Sequence, residues 1–479
     1  MVGIVSYGAY VPRYRINRKT ISTAMGWFSG TGVPGEKAVA NYDEDSVTMA
    51  VAAGSDSLTG LGRETLEALY LATITAPYKE RQDAGIVAAA LDLSPNIRTA
   101  DFADSSKAGT AALIAGCDAV KAGSAKSVIV CASDCRVAKP GSFEEGNYGD
   151  GAAAFVLGDS RVIASLGGSY SVTHDFMDRW RAEDDRFVHA SEDRWIRDEG
   201  YTKFIAEAIS GLLKKYGLSA KDFAKVIYPC LYVREHAAIG KSLGFSPGQI
   251  QQEMLTTVGD SGVAHPLMML VAALQEAKAG EKILVASYGN GSDAVFFEVT
   301  NDIVNAGERR GMKTHLALKK DLASYERYLA LHNVLPTEKG LRGETGPTLV
   351  TLLWRDRKVI LALYGSKCRR CGTPQYPAQR ICVNPECGAV DEMEEYGFAD
   401  KGGRLFSYTS DSLAFSVSPP EMYGVIDFDG GGRYLLDITD SEPESLKIDM
   451  PVEMTFRRRY TDEGHGIYGY FWKATPIRS

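Results

Sequence analysis

Four cysteines fall close together as Cys368-x2-Cys371-x10-Cys382-x4-Cys387. Gly372 and Gly388 each follow the second cysteine of a pair, where a knuckle turn needs a residue that tolerates positive φ. Two such pairs can close four thiolates around a tetrahedral Zn²⁺. A closed site leaves no open position for water, so the chemistry implied is structural rather than catalytic. The N-terminus, Met1-Val2-Gly3-Ile4-Val5-Ser6-Tyr7-Gly8, runs directly into a strand-like pattern with no basic, cleavable leader. In such a chain a cysteine cluster favours metal over disulfides. The other cysteines, Cys117, Cys131, Cys135 and Cys230, stand in apolar or strand-like surroundings and read as buried small hydrophobes.

The elements around these residues change character along the chain. Through about residue 300, short β-branched runs alternate with amphipathic stretches, which implies an α/β fold. Val128-Ile129-Val130-Cys131-Ala132 reads as a buried parallel strand. Residues 107–122 and 202–216 carry apolar side chains at three- and four-residue spacing and read as helices. There is also an internal echo. Asp118-Ala119-Val120-Lys121-Ala122-Gly123 leads into Lys126-Ser127-Val128-Ile129-Val130-Cys131-Ala132-Ser133. Gln275-Glu276-Ala277-Lys278-Ala279-Gly280 leads into Lys282-Ile283-Leu284-Val285-Ala286-Ser287. Both read helix, stop, strand, so the α/β part is expected to be a duplication. Residues 301–345 are charged and helical, and the stretch from Gly340 to Gly346 marks a boundary. Beyond it come the cysteine cluster and short alternating strands such as Leu405-Phe406-Ser407-Tyr408-Thr409, an all-β pattern with Gly430-Gly431-Gly432 as a turn.

With 479 residues the chain has room for two or three domains, each with its own core. Its 45% hydrophobic and 24% charged content is ordinary for a globular protein. A net charge of −8 argues against a nucleic-acid partner. No apolar run is long enough, at about 18 residues, to span a membrane. The expected location is cytoplasmic.

Residues 1–335 resemble the hydroxymethylglutaryl-CoA synthase family of the thiolase superfamily. The match rests on Lys107-Ala108-Gly109-Thr110-Ala111-Ala112, Gly149-Asp150-Gly151-Ala152-Ala153, Ser287-Tyr288-Gly289-Asn290-Gly291-Ser292-Asp293-Ala294 and Lys320-Asp321-Leu322-Ala323-Ser324-Tyr325-Glu326-Arg327-Tyr328. Residues 345–479 resemble the zinc-ribbon plus OB-fold family that accompanies acyl-CoA condensing enzymes, through Trp354-Arg355-Asp356-Arg357, the cysteine cluster and Gly469-Tyr470-Phe471-Trp472-Lys473. The resemblance implies a duplicated, five-layer thiolase-like α/β fold followed by a small all-β part. Its divisions are two thiolase-like halves at 1–165 and 166–335, a linker helix with zinc ribbon at 345–395, and an OB-fold at 396–479.

The family uses a cysteine nucleophile at a helix N-terminus, a glutamate acid/base and a histidine. The matching positions here hold Ser106, Ile74 and Pro229, and Asp260 replaces an asparagine. A serine without an adjacent base is a weak nucleophile, and a dipole term of about 1 kcal/mol does not offset that. The resemblance therefore implies a backbone oxyanion hole without an acyl-enzyme. The expected acid/base candidates are His265 and Asp260, then His236, with Tyr288 and Tyr232 as possible donors to an oxyanion and Asp104 as an orienting group. Ser106 reads as a substrate contact. Arg369, Arg370 and Arg380 around the ribbon, together with Asn290, are candidate contacts to a CoA thioester.

Three functions follow. The first is a carbon–carbon lyase that cleaves a 3-hydroxyacyl-CoA by a retro-aldol step, as thiolase-like aldolases with zinc-ribbon/OB-fold partners do. The second is a synthase-type condensing acyltransferase. The third is a non-catalytic acyl-CoA-binding scaffold for a thiolase partner. The resemblance also implies a homodimer or larger homo-oligomer.

Overall fold

The computed structural model describes residues 1–26, 34–338 and 347–478; the Gly340 to Gly346 boundary lies outside them. These residues form two compact units. One comprises Met1–Ala40, Asp45–Gly85 and Leu93–Tyr328, and the other Asn41–Glu44, Ile86–Asp92 and Leu329–Ser479.

The first unit is built on a nine-stranded sheet. Its order is Lys225–Ile227, Lys282–Tyr288, Gly291–Val299, Ala164–Thr173, Gly3–Tyr10, Gly151–Gly158, Val128–Asp134, Ala68–Ala72 and Arg98–Phe102. The sequence echo is visible in this order. Gly3–Tyr10 and Ala164–Thr173 pair antiparallel at the centre. Outward from each come an antiparallel strand, a second antiparallel strand (Val128–Asp134 or Lys282–Tyr288), and then a parallel one. The two echo strands thus occupy equivalent places on opposite sides of the sheet.

Local sequence explains the key elements. Every residue of Val128–Asp134 is buried, as a strand covered on both faces requires. Helix Ala108–Lys121 buries Ala108, Ala112, Leu113, Cys117 and Val120, and helix His265–Leu274 is buried along nearly its whole length. Both contribute to one apolar core with Val130, Phe155, Leu157, Val285 and Phe297. Helix Thr202–Tyr216 stops at Gly217, whose φ of 64° lets its N–H reach the Leu213 carbonyl. Cys117, Cys131 and Cys230 are buried and Cys135 is half-buried.

The second unit carries a three-stranded ribbon, ordered Pro374–Gln375, Tyr364–Cys368, Met393–Gly397, and a five-stranded antiparallel sheet. Strand Glu421–Phe428 alternates half-buried and buried residues, the period of a sheet with one face on a core. Gly430, Gly431 and Gly432 make the turn to Arg433–Asp437, all three at positive φ. Within this unit Arg457 is almost wholly buried. It is ion-paired to Glu44 and, at 2.7 Å, to Asp440. Lys473 pairs with Asp43 at 3.0 Å, and Thr439 donates to the same carboxylate at 2.9 Å. Burial opposes ionisation of Asp43, but Lys473 and Arg457 outweigh it and hold the acid below the ordinary carboxylate range. Among the described residues no helix is long and apolar enough to cross a membrane.

Candidate functional site

The turn before helix Ala108–Lys121 places Ser106. Asp104 has φ of 68°, a left-handed conformation uncommon for a side-chain-bearing residue, and it folds the chain sharply from strand Arg98–Phe102 into the helix. Ser105 then donates to the Gly289 carbonyl at 2.9 Å. Gly289 packs so closely that a Cβ there would lie 2.9 Å from the Ser106 nitrogen and 2.8 Å from that of Lys107. Only glycine allows these N–H groups and the loop after strand Lys282–Tyr288 to meet. Lys107 is ion-paired to buried Asp293 at 2.9 Å, and Thr110 donates to the same acid at 3.1 Å. The helix start is therefore pinned to the opposite half of the duplication.

A cavity of about 80 Å³ opens here. Its lining includes Ser106, Arg136, Asp178, Arg179, Tyr201 and Asp260. Pro229, Cys230, Tyr232 and Tyr288 complete much of its wall. Three expected site residues, Ser106, Asp260 and Tyr288, are thus brought together, along with Tyr232. His265 and His236 are not among the lining residues. His265 begins its helix, fully buried; its Nδ1 accepts from the Ser261 N–H at 3.3 Å, and Nε2 has no partner among the described residues. Burial holds the His265 pKa below the usual value despite the nearby Asp260 carboxylate. His236 sits 3.4 Å from the carboxyl of Glu253. Asn290 is at φ of 49° and donates to the Phe176 carbonyl at 3.3 Å. In the second unit Arg370 pairs with Glu392, Arg380 makes a two-pronged pair with Asp391, and the Arg369 N–H donates to the Glu392 carbonyl.

Electrostatics limit what these groups can do. Burial raises the pKa of Asp260, but Arg136 at 2.9 Å, His265 and the Gly262 N–H outweigh it and leave the acid below the ordinary carboxylate range. An acid held ionised this way is a weak base. Burial pushes the Cys230 thiol well above its usual range, so it is no thiolate nucleophile. Ser106 Oγ has no hydrogen-bond partner among the described residues. Ile74, at the glutamate position, donates its N–H to Asp134 at 2.9 Å. Asp134 also accepts from Thr73, Thr75 and the Val263 N–H. It is a buried clamp that joins two loops of the site. A Cβ on Gly262 would fall 2.1 Å from this carboxylate.

Arg136, Asp178, Arg179, Tyr201 and Asp134 were missed by sequence reasoning. None sits in a periodic or motif-like setting. One faint signal existed: Asp134 ends the same echo strand that was legible from its apolar run.

Glu253 accepts from the Cys230 N–H at 3.0 Å, and burial raises its pKa to about 8. A carboxyl whose folded pKa exceeds its unfolded value contributes stability that is complete below about pH 4.5. That contribution is lost as pH rises through about 8. Chemical denaturation at pH 5 and pH 8.5 should show the wild type losing on the order of 3 kcal/mol over this interval relative to Glu253→Gln. Parallel pH profiles of the two proteins would refute the shift.

The four clustered cysteine sulfurs lie within 4.8 Å of one another, with Cys368–Cys387 at 3.8 Å and Cys371–Cys382 at 3.5 Å. Tetrahedral Zn²⁺ with sulfur at about 2.3 Å requires sulfur–sulfur separations of about 3.8 Å. The donor set fits zinc.

Comparison with known proteins agrees with this geometry. Residues 358–394 match the ChsH2 rubredoxin-like zinc ribbon domain, and residues 398–457 the ChsH2 C-terminal OB-fold domain. The chain is 33% identical over 344 residues to a hydroxymethylglutaryl-CoA synthase of Methanopyrus kandleri, covering 70% of this chain and 98% of the relative. The chain belongs to the hydroxymethylglutaryl-CoA synthase family. A second relative of that name, from Methanocaldococcus jannaschii, is 31% identical over 340 residues, 68% of this chain and 98% of its own length. Solved structures share the fold. A hydroxymethylglutaryl-CoA synthase complexed with CoA superposes with TM-score 0.64 at 20% identity, over 72% of this chain and 94% of that one. A 3-oxoacyl-[acyl-carrier-protein] synthase III from Aquifex aeolicus gives 0.57 at 21% identity, over 62% and 100%. The family member described here is therefore a duplicated thiolase-like fold that also carries a zinc-ribbon/OB-fold part.

Proposed function

We propose that this chain is an acyl-CoA condensing enzyme of the synthase type that works without an acyl-enzyme. It forms a carbon–carbon bond between the α-carbon of an acyl-CoA and a ketone or aldehyde carbonyl. The carrying observation is the helix start: the Ser106 and Lys107 nitrogens stand against Gly289 beside the cavity, with a serine in the nucleophile's place. The relatives' name, hydroxymethylglutaryl-CoA synthase, supports condensation over cleavage.

In this reading the thioester oxygen lies at the helix N-terminus, where N–H groups and the dipole favour developing negative charge. A cavity carboxylate, Asp178, removes the α-proton, while Asp260 stays paired with Arg136. The enolate carbon attacks the carbonyl, and the new alkoxide takes up a proton to give a 3-hydroxyacyl-CoA. Ser106 hydrogen-bonds substrate. The four cysteines hold a structural zinc, and a homodimer is the expected assembly. The cleavage reading is the same step reversed. It keeps one specific support: Ile74, Pro229 and Ser106 together remove the groups that would make and resolve an acyl-enzyme.

Mass spectrometry of the CoA species tests this, with acyl-CoA plus ketones and aldehydes in one set and 3-hydroxyacyl-CoAs in the other. The expected result is a new 3-hydroxyacyl-CoA. Ser106→Ala should retain turnover within about tenfold, since it loses one hydrogen bond to substrate. An acyl adduct on Ser106 would overturn the adduct-free step. Carbonyl release alone would establish the lyase, and CoA binding without turnover would establish a scaffold.

A further inference from the structure

Residues Ile196–Tyr201 form a turn wider than that of an α-helix. The Thr202 N–H bonds to the carbonyl of Arg197 rather than to that of Asp198, and the Thr202 hydroxyl donates to the same Arg197 oxygen at 2.8 Å. This is the i→i+5 pattern of a π-turn, which is rare and recurs at functional sites. Helix Thr202–Tyr216 continues from it in ordinary α geometry. The consequence is one of register. In an α-helix, side chains five positions apart point roughly 140° apart. The wider turn brings Ile196 and Tyr201 back towards one side, and both line the cavity. Gly200 permits the close fit: a Cβ there would lie 2.7 Å from the Tyr288 hydroxyl and 2.5 Å from the Phe176 ring.

The wall that results is stiff. The Tyr201 hydroxyl donates to the Pro229 carbonyl, and its ring lies 5.2 Å from that of Tyr288. Pro229 and Pro266, also on the wall, are rigid rings. Ile196 is β-branched and 1% exposed. With Leu231 and Leu255 it makes the aliphatic part of the lining. The room is small. An apolar cavity of about 150 Å³ takes benzene. At about 80 Å³ this one has space for roughly three non-hydrogen atoms. Ser106 lines the same cavity, so a thioester whose oxygen sits at that helix start extends its acyl chain into this space.

We propose that Ile196, presented by the π-turn, is a specificity-determining residue that limits the acyl group of the thioester to about two or three carbons. This rests on the condensing reading above and names its substrate class, a short unbranched acyl-CoA. The physical reason is packing. A close-packed wall yields little, so a carbon beyond the limit must displace side chains that are held in place. One methylene in such a pocket is worth about 10–200-fold.

Calorimetric binding of acetyl-, propionyl-, butyryl- and hexanoyl-CoA to the full-length protein tests this. Wild type should bind butyryl-CoA about tenfold or more weakly than acetyl-CoA, and hexanoyl-CoA more weakly still. Ile196→Ala should raise the butyryl-to-acetyl affinity ratio about tenfold. Ile196→Val should raise it by a smaller factor, and it serves if the alanine variant fails to fold. Thr202→Val, which removes the hydroxyl bond that supports the wide turn, should raise it several-fold. Ile205→Ala removes an equally buried side chain that does not line the cavity and should leave the ratio where it is. Wild-type affinities that do not fall with chain length, a ratio unmoved in both Ile196 variants, or an equal rise in Ile205→Ala overturns the size limit and leaves the condensing reading standing. Absence of binding by every CoA ester overturns both.

Discussion

Cys371→Ser is expected to strip the metal from the ribbon and unfold residues 358–394. Elemental analysis of the wild type should find one zinc per chain, and the variant should hold almost none. Four sulfurs within 4.8 Å of one another lose most of their reason to stay together once one thiolate is gone. The ribbon has little else to rely on: its buried apolar cluster contains Cys368, Cys382 and Ala389, with Cys387 and Met393 packed against it. Structural zinc binding is worth on the order of 10 kcal/mol, and in such small modules that energy is folding energy. Hydrogen exchange should therefore rise sharply across Tyr364–Cys368 and Met393–Gly397 in the variant, and equally in wild type after chelation. Retained protection without metal would show the ribbon to be a zinc-free remnant.

Arg457→Met should destabilise the second unit by about 3–5 kcal/mol, measured by urea denaturation. The arginine is 1% exposed and is paired with Glu44 and Asp440, which are also buried. Removing it leaves two carboxylates facing each other in a poorly solvated place. Burial and Asp440 already push the Glu44 pKa up to about 7 even with the arginine present. The triple replacement of Arg457, Glu44 and Asp440 by apolar residues should recover most of the loss, because it removes the desolvation cost along with the pair. A single variant as stable as wild type would show that the cluster is spectator charge.

Much of the architecture was legible because the signals were local. The cysteine spacing and the two glycines after it describe a ribbon whatever surrounds them. Val128–Asp134 is apolar throughout because it is covered on both faces, and that pattern needs only seven residues to be seen. The echo between this strand and Lys282–Tyr288 anticipated their equivalent positions in the sheet. Ser106, Asp260 and Tyr288 were found because each lies in a short motif next to a glycine-bearing turn.

The chemistry of the site was less legible, and His265 shows why. From its loop it reads as a candidate base. In the fold it is the first residue of a buried helix, with Nδ1 committed to the Ser261 N–H, and it does not line the cavity. Asp260 does line it, yet Arg136, far away in sequence, holds it ionised and blunts its basicity. Arg136, the adjacent Asp178 and Arg179, and Tyr201 come from three stretches of chain with no shared period, so no short window of sequence contains them.

The sequence by itself determined the family, the duplicated α/β plan, the metal-binding spacing and the loss of the nucleophile, all properties carried by residue type at short range. Only the tertiary structure decided which titratable groups face the cavity and which are neutralised by a neighbour, as Arg136 is by Asp260 and Arg179 by Glu144. Those outcomes depend on distance and desolvation between residues far apart along the chain. An ion pair is settled within about 4 Å, and neither its partner nor its burial is written in the order of the residues.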